Sequence, residues 1–140
     1  MNELPNIPEL ERELRAHLEL CREIHGLVQR EHQQLKTAQV DDLKEFFRCR
    51  NGLLERLAGA QQQMFTHKAA WMRLNTAERA QHPQVGSLIR QNLDLIMKVV
   101  LLDRENEKLL LHHRLVPAKH MPAPERQNPS LVARRYRANS

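Results

Sequence analysis

Residues 87–116 read SLIRQNLDLIMKVVLLDRENEKLLLHHRLV, and the reading of this stretch decides the fold. Leu88, Asn92, Leu95, Val99, Leu102, Asn106, Leu109 and His113 recur at alternating spacings of four and three. That rhythm marks the seam of a helix packed at a low crossing angle against another helix. A second stripe, Ile89, Leu93, Ile96, Val100 and Leu110, runs beside it. The turns from Leu93 to Leu102 are therefore apolar nearly all round, with Asp94 and Lys98 clustered on one side. Such a helix needs cover on more than one face, from both companion helices or from a second chain. Asn106 interrupts the grease. A single buried Asn in an apolar seam lowers stability but sets register and partner number, because a slipped pairing strands its amide. Since Leu109, Leu110 and Leu111 follow it, Asn106 is expected to face the seam.

The same rhythm appears twice upstream. Leu10, Leu14, Leu18, Cys21, His25, Val28, His32 and Leu35 outline a first helix from about Pro8 to Thr37. At 1.5 Å per residue it is roughly 45 Å long. Pro5 and Pro8 fit its start, where proline is tolerated. Asp41 and Asp42 are good starters for a second helix carrying Val40, Leu43, Phe47, Arg50, Leu54, Leu57, Gln61, Met64 and Trp71, which ends near Leu74. The segment NTAERAQHPQVG then reads as a loop or broken turn, and Ser87 as the cap of the third helix. Pro117, Pro122, Pro124 and Pro129 break the pattern afterwards. The fold class expected is all-α: an elongated antiparallel bundle, or coiled-coil-like array, of three long helices with a disordered C-terminal tail. Residues 1–116 form the helical domain and residues 117–140 a flexible, Pro-rich, basic tail.

Composition agrees. Charged residues make up 28% and aromatics 4%, a profile of long helices rather than sheets. The net charge of +5 is located mostly in the tail, where Lys119, Arg126, Arg134, Arg135 and Arg137 stand against Glu125 alone. Nucleic acid is not the expected partner, because a few charges on a flexible tail beside a near-neutral body bind weakly and only at low salt. A solvated or partner-docking tail fits better, with Arg134, Arg135 and Tyr136 as its docking residues. No segment is long and apolar enough for membrane insertion, and two free thiols without a secretory leader imply a cytoplasmic protein.

Chemistry finds little purchase. Eight histidines invite a metal, and His25 and His32 lie seven apart with Glu31 adjacent, while His112 and His113 are neighbours. None of the short paired spacings of zinc sites occurs, so neither a metal nor another cofactor is expected. Cys21 lies on a packing seam, where a thiol acts as a small hydrophobe. Cys49 sits between Arg48 and Arg50 without a histidine at helical reach. A small helical enzyme of chorismate-mutase type is the catalytic class to weigh, since Arg50 and Gln61 on the second seam suit its Arg-rich pocket. Arg50 is instead expected at the seam's edge, with its stem packed and its head in water. The chain is expected not to be an enzyme.

The three helices carry LLERLAGAQQQM at 53–64 and LDRENEKLLL at 102–111, followed by a Pro-rich basic tail with Tyr136. In this the chain resembles the FlgN-type flagellar export chaperones over roughly residues 10 to 115. In that family's third helix an Asn-x-x-Asn pattern precedes leucines; Asp103 and Asn106 occupy those places here. The resemblance implies a cytoplasmic chaperone that binds the C-terminal helices of hook–filament junction proteins before type III secretion. It also implies the flagellar export apparatus as receptor for the tail. Client binding would use the helix-in-groove mode, with Leu93, Ile96, Met97, Val100 and Leu101 as the groove and Met97 as its adaptable contact. The alternative is a structural or adaptor coiled-coil protein, a homodimer whose partner covers the third helix.

Overall fold

The computed structural model describes residues 4–37 and 42–113, and their regular structure is wholly α-helical. Four helices follow in order: α1 Ile7–Lys36, α2 Leu43–Met72, α3 Thr76–Ala80 and α4 Pro83–His112. Each start has a local cause. Asn6 caps α1 by accepting from the Glu9 backbone N–H, with a proline in the first turn. Asp42 caps α2 through the Glu45 N–H, and Thr37 closes α1 by donating its hydroxyl to the Gln33 carbonyl.

Two boundaries differ from the sequence expectation. The segment read as a loop contains α3, held by a capping box in which Asn75 accepts from the Glu78 N–H and Glu78 accepts from the Asn75 N–H. Moreover, α4 starts at Pro83 and not after Ser87. A proline loses nothing in a first turn, where its missing N–H would have had no helical partner, so the chain begins a turn early.

Hydrogen bonds give the directions. Leu14 pairs with Asn92 and Val28 with Asn106, both steps rising together, so α1 and α4 run parallel. Arg56 meets Glu23 and Arg50 meets Glu31, one number rising as the other falls, so α2 is antiparallel to both. The connecting 73–82 segment with α3 reverses the chain at one end of the bundle, where Trp71 lies beside Gly86. Helix α1 is the common partner, and α2 and α4 approach each other less closely than either approaches α1.

The main core gathers Leu10, Leu14, Ile24, Val28, Met64, Val85, Ile96 and Val99, all nearly inaccessible. A smaller core of Leu35, Phe47 and Leu110 forms at the far end. Between them each long helix contributes polar residues: Glu31 and His32 from α1, Arg50 from α2, and Asp103, Asn106 and Glu107 from α4. No described helix is long and apolar enough to cross a membrane. The tail expected at 117–140, with Arg134, Arg135 and Tyr136, lies outside the described residues.

Candidate functional site

Asn106 is fully buried, as its seam position requires. Its Nδ2 donates to the Val28 carbonyl (3.2 Å) and to Glu31 Oε1 (3.3 Å). That turns Oδ1 toward His32 Nδ1 at 2.7 Å, so the ring nitrogen carries the hydrogen and donates. Asn92, two heptads earlier, repeats the clamp. Its Nδ2 donates to the carbonyls of Leu14 (3.1 Å) and Leu88 (2.9 Å), and its Oδ1 stands 2.7 Å from His17 Nδ1. His17 Nε2 lies 2.9 Å from the Ala60 carbonyl, so either ring nitrogen finds an acceptor and the clamp reaches α2 as well. Sliding α4 along α1 by one turn would strand two amides and two imidazoles at once. The two clamps together lock a parallel register.

Arg50 departs from the expectation of a water-exposed head. Its side chain is 5% exposed and enclosed by three carboxylates. It donates to Glu31 Oε1, to Asp103 Oδ1 at 2.9 Å and to Glu107 Oε1 at 3.4 Å. The reason is geometric: a seam arginine has its edge covered when three helices, not two, meet around it. Burial works against its charge, yet the carboxylates of Asp103, Glu31 and Glu107 outweigh that and raise its pKa. Glu31 is pushed up from the ordinary carboxyl range by burial, aided by the nearby Asp103 charge, while Arg50 and the Asn106 hydrogen bond hold it back. One guanidinium among three acids has no charge left for an anionic substrate.

Helix α4 also carries the residues expected to form a client groove, and the structure separates them. Ile96 is 1% exposed and belongs to the core, which corrects its assignment to an open groove. It lies between the row of Asn92 and Val99 and the row of Leu93 and Val100, inside the main core. Leu93, Met97 and Val100 are half-buried against that core, and Leu101 is 46% exposed. These four form one flank. The positions 86, 90, 93, 97, 100, 104 and 107 follow the four-three ladder, and both ends of it meet α2. A Cβ on Gly86 would lie 3.7 Å from Trp71 Cζ2, and Glu107 takes its bond from Arg50. The flank therefore looks across to α2, where Leu54, Gln61 and Phe65 are half-buried. A second recess, about 590 Å³, opens between α1 and α2 and includes Leu27, Arg30, Phe46, Cys49, Leu53 and Arg56.

The remaining candidates stay apart. Among the described residues no group of three or more His, Cys, Asp or Glu side chains could hold a metal ion. His25 is half-buried without a ligand cluster, and His112 and His113 stack edge to face 5.2 Å apart. Cys21 is buried, which raises its thiol pKa to about 11, whereas Cys49 is exposed and donates to Glu45 Oε1 at 3.6 Å. The sequence reading passed over His17, Asp103 and Glu107 as site residues, and noted Glu31 only as a neighbour of His32. A signal for the clamps existed in the two seam asparagines fourteen residues apart, Asn92 and Asn106. No protein-family model, curated protein or solved structure matches the chain.

Proposed function

We propose that the chain is a cytoplasmic export chaperone of FlgN type, which holds the C-terminal helices of hook–filament junction proteins before type III secretion. It works by binding and performs no catalysis. One observation carries the reading: the α4 flank of Leu93, Met97 and Val100 remains half-accessible beside α2 and continues into exposed Leu101. A groove between two helices with apolar walls suits a third, amphipathic helix laid along it. Met97 on α4 and Phe65 on α2 give such a site adaptable and broad contacts. The rigid clamps beneath keep α4 fixed against α1, so a client meets a prepared surface and not a collapsing one.

The test is a binding titration of a fluorescent C-terminal helix peptide from a hook–filament junction protein. Saturable binding by the native chain, lost in Leu101→Asp with an unchanged melt, supports the reading. Equal binding by native and variant chains contradicts it. A homodimer using the same flank is the competing account, and sedimentation of the chain alone distinguishes it: a concentration-independent dimer would already occupy the groove.

A further inference from the structure

The groove's apolar floor is uncharged, but its α4 lip is not. On the ladder that runs from Gly86 to Glu107, Arg90 precedes Leu93 and Arg104 follows Val100. Lys108, one turn beyond Arg104, extends the same edge. Arg90 and Lys108 are exposed and Arg104 is half-buried. Among the described residues the Nε of Arg104 is shielded from solvent with no hydrogen-bond partner, and Glu107 Oε2, one turn on, is buried too. A sheltered guanidinium N–H of this kind is costly unless an acceptor arrives from outside. The only acid on the ladder, Glu107, is bonded to Arg50. Asp94 and Glu105 lie on the outer rows beyond Leu101, and on the α2 lip Leu54, Gln61 and Phe65 are uncharged, with buried Lys68 one turn on adding no acid.

Resting on the docking reading above, we infer that the groove selects an amphipathic client helix whose polar flank is acidic. Glu or Asp side chains on that helix, placed beside its apolar seam, would reach Arg90 at one end and Arg104 and Lys108 at the other. The Arg104 fork can take a carboxylate on its Nε edge. A second copy of this chain fits poorly, because a two-fold pairing through this flank brings the Arg90 end of one copy against the Arg104 end of the other. Cation would face cation across the interface.

The experiment compares three labelled helical peptides with one shared apolar seam and flanks of Glu, Gln or Lys, titrated into the full chain by anisotropy. The Glu peptide should bind roughly tenfold or more tightly than the Lys peptide, since two or three exposed-to-half-buried ion pairs sum to about that ratio. Raising the salt should narrow the gap. Exchanging Arg104→Glu together with Lys108→Glu should reverse the order of the peptides. Equal affinity of all three, lost in Leu101→Asp, overturns charge selection and leaves the docking site standing. No binding by any peptide removes the docking site as well. Tight capture of the chain by anionic vesicles, with displacement of the Glu peptide, overturns the inference in favour of a lipid-facing patch.

Discussion

Replacing Arg50 by Met tests the buried layer most severely. The substitution keeps much of the stem's packing and removes the guanidinium bonded to Glu31, Asp103 and Glu107. Removing one partner of a buried pair costs about 3–5 kcal/mol, because the other charge stays desolvated. Here three acids lose the same partner, so the upper half of that range applies. Small domains hold about 5–15 kcal/mol in total. At about 4 °C per kcal/mol, the melt should fall by roughly 15–20 °C at neutral pH. Thermal unfolding followed by circular dichroism reads this directly. The deficit should shrink on moving from about pH 7 to about pH 5, because protons then neutralise what Arg50 no longer does. A melt within about 3 °C of the native chain at neutral pH would refute the view that Arg50 holds the three helices together electrostatically.

Further outcomes follow from the same contacts. Glu31→Gln should raise the melting temperature at neutral pH and flatten its pH dependence above about pH 4.5. The sign comes from linkage: the folded chain holds the Glu31 proton more tightly than the unfolded chain, so stability falls as pH rises through that window. Glu45, held down to about 2 by its hydrogen bond from Arg48, acts oppositely and only below pH 4.5, so a melting series across both windows separates them. Ile96→Glu should abolish the cooperative melt, since a carboxylate replaces a core side chain at a cost of more than about 4 kcal/mol, whereas Leu101→Asp should shift it by less than about 1 kcal/mol. Asn92→Leu removes the acceptor at His17 Nδ1 and the amide that ties α4 to the Leu14 carbonyl; it should loosen the parallel register, seen as faster amide exchange along both α1 and α4.

The helices were legible because their seams repeat over four turns or more, and because Asp41, Asp42 and the prolines punctuate them. Asn106 was legible for a related reason: leucines on both sides leave it nowhere to go but inward. What escaped the pattern has a common cause. A four-three seam describes a helix facing one neighbour, yet α1 and α4 each face two. His17 lies one residue off the ladder through Leu14, Leu18 and Cys21, on the shoulder that α2 covers. Arg50 and Ile96 are misjudged from opposite directions by the same omission. A two-helix picture exposes the arginine's head and lets the isoleucine line a groove, while a third helix buries both. Charge at Glu31, Asp103 and Glu107 reads as a solvated face until a buried arginine in the facing helix is known. The α4 start shows the remaining limit, since Ser87 and Pro83 both signal a helix beginning and only packing of Val85 into the core chooses between them.

The docking claim meets its most direct test in methyl-resolved NMR of the native chain during titration with a junction protein's C-terminal helix. Shifts should centre on Leu93, Met97, Val100 and Leu101, with Leu54 on the facing helix, while the Leu27 and Leu53 methyls of the α1–α2 recess stay put. Shifts centred on Leu27 and Leu53, or none at saturating peptide, would contradict it.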